Sequence, residues 1–353
     1  MIRVLVVDDS ATSRALLTQI LGADPEIEVV GEARDGLEAV ELTRKLRPDL
    51  VTMDFHMPRM DGLEATREIM ITVPTPIVIV TGSTRSRDVQ YSIDMLHLGA
   101  LDVLKKPVGP RSATFAEEAA RLVASVKAMS QVKVVRHWRP TKMSPTALAR
   151  PTVWPAPNRE RMRVVAIATS TGGPAALQRL FSSLPDDFPV PILVVQHITV
   201  GFTSGLATWL DSVTRLKVKV AEAGETLAAR TAFLAPDDRH LGVTDVRTVL
   251  LSSAPPVAGF RPSGTFLFES VARSFGPSAV AVILTGMGED GVSGLRAIRA
   301  AGGRVIAQDE ASSVVFGMPG AAIASGLVDT VLTLDSIASR LAELNCGRTW
   351  TAF

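Results

Sequence analysis

The chain is 353 residues long, 46% hydrophobic and 21% charged, with a formal net charge of +1; that length suffices for about two domains with proper cores, and that charge gives no global attraction to nucleic acid or an anionic membrane. Its single cysteine, Cys346, excludes an internal disulfide framework and suits a reducing compartment. The opening residues MIRVLVVDDS put acids directly after a short apolar run, and no uncharged run reaches membrane-spanning length, so neither a secretory signal nor direct membrane insertion is expected and the reading is cytoplasmic.

From Ile2 to about Ala128, short apolar runs alternate with helical patterns. The predicted strands are Val4 to Val7, Ile27 to Ala33, Leu50 to Met53, Ile77 to Val80 and Leu101 to Leu104, and between them Leu16, Leu17, Ile20, Leu21 and then Leu37, Val40, Leu42, Leu46 recur at helical spacing. Fivefold β-α alternation predicts a doubly wound parallel sheet. The charged residues fall at predicted strand ends: Asp8 and Asp9 after the first, Asp54 after the third, Thr81 after the fourth, Lys106 after the fifth. Carboxyl ends of parallel strands share one edge, so these residues converge on one crevice. Three carboxylates crowded together repel unless a cation sits among them, and all-oxygen ligands suit Mg²⁺. Asp54 is then placed to attack a phosphoryl group, with Thr81 and Lys106 contacting its oxygens. Alone, Asp8 and Asp9 read equally well as solvated acids capping the next helix; the matching residues at the other strand ends favour the site.

The segment 129–162 loses periodicity. Pro140, Pro145, Pro151, Pro155 and Pro157 interrupt it, and Arg136, Arg139, Lys142, Arg150, Arg159 and Arg161 make it basic. It reads as an interdomain linker rather than a nucleic-acid arm, with Trp138 and Trp154 available to dock it on a neighbour.

A second alternating region, 163–346, begins at VVAIATSTGGPAALQRL. The run Val164 to Ala168 ends in small and hydroxyl residues, and Gly172, Gly173 and Pro174 open a helix, so Ser170 stands at a sharp turn beside backbone N–H groups of a helix N-terminus. The pattern is one residue away from the G-x-S-x-G elbow, and such a serine by itself is more often a cap or phosphate ligand. Further strands are predicted at Pro191 to Val195, Leu216 to Val220, Ala279 to Leu284, Arg304 to Ala307 and Thr330 to Leu332. Helices are predicted at Phe202 to Leu210, Phe266 to Phe275, Gly291 to Ala301 and Ala321 to Ser325, with an antiparallel excursion over Thr231 to Ser252. His197 and Asp290 follow two of these strands. Each alone is an ordinary structural residue, but a serine hydroxyl needs a base, and the base a carboxylate to fix its tautomer. The chain order Ser, His, Asp differs from those of the α/β-hydrolases, chymotrypsin and subtilisin.

Two resemblances follow from these motifs. MDFHMPRMDG around Asp54 and GALDVLKKP around Lys106 resemble the response-regulator receiver (flavodoxin-like) domain over residues 1–128. STGGP, QHI, GFT, APDDRHL, RPS, TGMGEDG and AQDEASSVVFGMP resemble the catalytic domain of the chemotaxis protein-glutamate methylesterases, the CheB family, over 163–346, leaving a tail at 347–353. The first resemblance implies phosphorylation of Asp54 by a chemotaxis histidine kinase, with Mg²⁺ held by Asp8, Asp9, Asp54 and the backbone carbonyl of His56. The second implies Ser170 as nucleophile, His197 as general base and acid, Asp290 as orienter, and Thr171 and Met287 lining the site, the Met287 N–H as an oxyanion donor. The esterase then needs no cofactor. Its implied substrate is the cytoplasmic domain of a methyl-accepting chemotaxis receptor, with the receiver packing over the esterase edge until Asp54 is phosphorylated. Glutamine deamidation by the same machinery is left open, and a monomer is expected. The sequence departs from the family at Val103, where receivers often carry an aromatic, and at Ala168-Thr169, where Gly-Ala is expected before the serine. The rival reading is a catalytically weak or silent response-regulator interaction protein. A DNA-binding output lacks a helix-turn-helix pattern after Met162. The final Trp350-Thr351-Ala352-Phe353 matches the W-x-x-F tail of some receptors, though a frayed terminus is the simpler reading.

Overall fold

Parallel strands covered on both faces carry no alternating pattern, and β1 (Ile2–Val7), β3 (Leu50–Met53) and β4 (Ile77–Thr81) are accordingly near-continuous runs of buried side chains. With β2 (Ile27–Ala33) and β5 (Asp102–Lys105) they form a five-stranded sheet in the order β2-β1-β3-β4-β5, every pair parallel. The computed structural model describes residues 1–82, 94–96, 98–112, 114–132 and 162–345. Most of the linker with Trp138 and Trp154, and the tail with Cys346 and Trp350 to Phe353, lie outside the described residues. Helices α1 (Ala11–Gly22), α2 (Gly36–Leu46), α3 (Gly62–Thr72) and α4 (Phe115–Met129) flank this sheet. Asp35 and Asp61 cap α2 and α3 by accepting from Glu38 N at 3.0 Å and Glu64 N at 2.8 Å, bonds worth about 1 kcal/mol each.

The chain falls into two compact units, and the other holds a seven-stranded sheet. Its strands are β6 (Val164–Thr169), β7 (Ile192–Gln196), β8 (Lys217–Val220), β9 (Thr231–Leu234), β12 (Ala279–Ile283), β13 (Arg304–Gln308) and β14 (Thr330–Leu332), in the order β14-β13-β12-β6-β7-β9-β8. All six pairings are parallel. All six residues of β6 are buried, and each Val or Ile there contributes roughly 1.5–3 kcal/mol relative to exposure. The helices are α5 (Gly173–Ser183), α6 (Thr203–Val213), α7 (Gly264–Phe275), α8 (Val292–Ala300), α9 (Met318–Ala324) and α10 (Leu334–Asn345). From β6 the order runs one way through β7 and the other way through β12. That makes the carboxyl end of β6 the switch point, where open α/β sheets form their crevice.

The region Thr231 to Ser252 is only half as expected. β10 (His240–Val243) and β11 (Val249–Ser252) are an antiparallel pair, but β9 belongs to the parallel sheet between β7 and β8. Four buried residues without a long apolar run give little to separate such a strand from a hairpin arm. The helix expected at Ala321 to Ser325 begins three residues earlier, with Pro319 in its first turn.

Candidate active site

Ser170 follows β6 at the switch point. Its N–H donates to Thr285 O at 3.0 Å, and its carbonyl accepts from Gly173 N at 2.9 Å, closing the turn that starts α5. Gly172 takes a left-handed φ of 77°, and a Cβ there would lie 2.5 Å from Val314, so the turn needs glycine for both conformation and space. The Thr171 and Met287 N–H groups make no hydrogen bond to any described residue, as oxyanion donors require.

Register pairs Thr169 with Gln196, so Ser170 and His197 leave adjacent strands side by side, tied by His197 N donating to Thr169 O at 2.9 Å. His197 Nε2 lies 2.9 Å from Asp290 Oδ2, and the ring stacks on Phe260 with centroids 4.4 Å apart. Bonding to a carboxylate puts the proton on Nε2. That leaves Nδ1, buried and unpartnered, as the nitrogen able to accept one. No direct hydrogen bond joins Ser170 Oγ to His197; such bonds often tighten only once substrate is bound.

Asp290 precedes α8 and reaches the N-terminus of α7. It accepts from Ser263 Oγ at 2.7 Å and Gly264 N at 2.6 Å. Burial alone would raise its carboxyl, but the hydrogen bond and charge of His197 together with the Ser263 and Gly264 donors outweigh it and hold the group below the ordinary carboxylate range.

The two unexpected residues before the serine are accommodated. Thr169 Oγ1 donates to Thr285 O at 2.9 Å, so its hydroxyl is satisfied within the sheet. The methyl of Ala168 faces Gly264, where a Cβ would approach it to 2.7 Å; the absent side chain at Gly264 makes room for the extra one at Ala168.

At the carboxyl edge of the first sheet, carboxylate oxygens of Asp8, Asp9 and Asp54 lie within 4.8 Å of one another. Lys106 Nζ sits 2.7 Å from both Asp8 Oδ2 and Asp54 Oδ2. Burial pushes the Asp54 carboxyl up, against the opposing pull of Lys106. Burial disfavours the Lys106 ammonium, yet the two acids outweigh this and raise it. Thr81 ends β4, 2% exposed, and its carbonyl accepts from Lys106 N at 2.8 Å. His56 follows Asp54 by two residues, in the loop before α3.

A family model described as CheB methylesterase matches residues 165–341, and one described as response regulator receiver domain matches residues 4–115. A Myxococcus xanthus protein named protein-glutamate methylesterase/protein-glutamine glutaminase 4 is 56% identical over 97% of this chain and 96% of its own length. The chain belongs to the CheB methylesterase family. Another family member, the Anaeromyxobacter dehalogenans protein-glutamate methylesterase/protein-glutamine glutaminase 3, is 55% identical over 97% of this chain and 98% of its own length. The crystal structure of the Thermotoga maritima CheB methylesterase catalytic domain shares 41% identity and a TM-score of 0.50, covering 52% of this chain and 98% of that one. In this CheB-family chain the structure also brings in residues the sequence reading did not single out. Ser263 clamps Asp290. Thr285 accepts from Ser170 N and Thr169 Oγ1 while donating its hydroxyl to Thr171 O at 2.9 Å, and Gln308 Oε1 accepts from Thr285 N at 2.8 Å. The motifs RPS, TGMGEDG and AQDEASSVVFGMP contain all three; the available signals were the strand ends at Thr285 and Gln308 and the helix-cap position of Ser263.

Proposed function

We propose that this chain is a phosphorylation-activated serine hydrolase that removes methyl groups from glutamate methyl esters on the cytoplasmic domain of chemoreceptors. The reading rests chiefly on His197: Asp290 holds its Nε2–H, Nδ1 is buried and unpartnered, and the residue follows the strand paired with the one that presents Ser170. Ser170 Oγ attacks the ester carbonyl carbon as His197 Nδ1 takes the hydroxyl proton, and Asp290 stabilises the imidazolium. The N–H groups of Thr171 and Met287 hold the oxyanion; one such donor is typically worth about 10² to 10³ in rate. His197 returns the proton to the departing methoxide, giving methanol and an acyl-enzyme, and then activates water that frees the glutamate. The same steps act on a glutamine side chain, where protonation of the leaving ammonia by His197 matters more, which makes deamidation the natural second activity.

In the receiver unit the proposed chemistry is transfer of a phosphoryl group from a chemotaxis histidine kinase to Asp54. Asp8, Asp9 and Asp54 fit a hard divalent ion, being clustered oxygen donors with one cationic partner among them. They would hold Mg²⁺ with the His56 carbonyl, and the ion would neutralise charge developing on the phosphoryl oxygens. Lys106 and Thr81 are placed to contact those oxygens. Among the described residues no helix is long and apolar enough to cross a membrane, and the proposed site of action is the cytoplasm. The working unit is proposed to be a monomer with domain limits near residues 128 and 163.

Methanol release from methylated receptor membranes tests the esterase. Wild-type protein should release it and Ser170→Ala should not; no release by the wild type would leave the silent interaction protein as the better reading.

A further inference from the structure

Gln196 closes β7 immediately before His197, and the residue is 6% exposed. Its Nε2 donates to the carbonyl of Ser170 at 2.7 Å and to the carbonyl of His197 at 2.8 Å. Only the NH₂ end of the amide can face two carbonyl oxygens, which fixes its orientation. The opposite end, Oε1, is buried without a partner. That is a destabilising arrangement that a methionine of similar size would avoid, so the amide's gain lies in the two bonds it donates. The space is cut for it as well: a Cβ on Gly173 would come 2.0 Å from Gln196 Oε1. Since no direct hydrogen bond joins Ser170 Oγ to His197, their separation is set by the two backbones, and one amide bridges both.

We infer that Gln196 is a positioning residue of the esterase, a single amide that sets the spacing between nucleophile and base. The inference rests on the catalytic roles proposed above for Ser170 and His197. It concerns geometry and not contact with substrate: Gln196 donates to backbone carbonyls only, so its loss should slow the chemical step and leave receptor binding nearly intact.

The test uses the full chain, methylated receptor membranes, and a fluorophosphonate that labels activated serines. Gln196→Met should lower kcat by roughly 10- to 100-fold, as an ångström of misplacement costs about 10²-fold, while KM changes less than about threefold. Labelling of Ser170 should slow by a similar factor with the thermal transition retained. Added to His197→Ala, Gln196→Met should cause less than about a twofold further loss, because spacing to an absent base has no effect. A purely structural role would cost the same factor in both backgrounds. Gln196→Glu, isosteric but with no donor when ionised, should follow Gln196→Met. The inference is overturned by a kcat within about twofold of wild type, by equal losses in the two backgrounds, or by loss of the thermal transition in both variants, which would make Gln196 a residue of the core. Wild-type protein that neither releases methanol nor takes the label rejects the esterase reading itself, whereas active wild type with equally active Gln196→Met rejects the inference alone.

Discussion

Ser263 carries two duties on one oxygen: it donates to Asp290 Oδ1 and accepts from Thr265 N at 3.1 Å as the cap of α7. A hydrogen bond to a charged group is worth about 1.5–3 kcal/mol and a cap about 1 kcal/mol. Because the folded pKa of Asp290 lies below its ordinary 3.8, the stabilisation it brings is complete above that pH and is lost as the pH falls through the folded value. Ser263→Ala should therefore lose the sum of both contributions in urea unfolding at pH 7, and the deficit should shrink towards the cap alone as the pH drops below about 4. A deficit independent of pH would mean that the hydroxyl serves only the helix. Thr169→Ala asks a narrower question. It removes the bond from Thr169 Oγ1 to Thr285 O and restores the residue expected before the serine. It should lower stability by about 0.5–1.5 kcal/mol and change kcat by less than about threefold, read by thermal melts and methanol release.

Strand ends bring the chemistry together because every strand of both sheets runs the same way, and this was readable from apolar runs that stop at Asp54, Lys106, Ser170 and Gln196-His197. β-branched runs flanked by glycine and proline located β6, β7, β12 and β13 to within a residue or two at each end. The misplacements have physical causes. β9 has only four residues to display, and α9 opens on Met318-Pro319, where a proline in the first turn hides the helix start from the apolar spacing. The clamps behind the proposed catalytic residues were less legible still, since Thr285 touches Ser170 across 115 residues of sequence and nothing local in a threonine announces that partner. Gly286 shows how tightly the elements are set. A Cβ there would lie 2.7 Å from Ser170 Cβ and 2.5 Å from Met318 Sδ. The methionine can swing aside but the strand-held serine cannot. Gly286→Ala should cost on the order of a hundredfold in kcat with about 1–3 kcal/mol of overpacking, measured as turnover and thermal midpoint; full activity would show that the turn around Ser170 yields more readily than its hydrogen bonds suggest.

Under the proposed function, a receiver and an esterase in one chain make the rate a property of both units, through a two-state equilibrium that a phosphoryl group on Asp54 would bias. Asp54→Ala should keep basal methanol release and lose its stimulation by a small phosphodonor with Mg²⁺; stimulation equal to wild type would remove Asp54 from control. The seven-stranded order has a different implication, for the making of the protein. β6 sits between β7 and β12, and the Thr285 N–H behind Ser170 is held by Gln308 at the end of β13. The earliest-made strand of the esterase is thus in the middle of its sheet, and its neighbours on one side are more than a hundred residues downstream. A nascent chain already displays Ser170 and His197 while Asp290 and Gln308 are still inside the ribosome. With the roles proposed for Ser170, His197 and Asp290, synthesis therefore includes a silent interval, in which the chain carries a serine and a histidine but no complete ester-cleaving site until β12 and β13 dock.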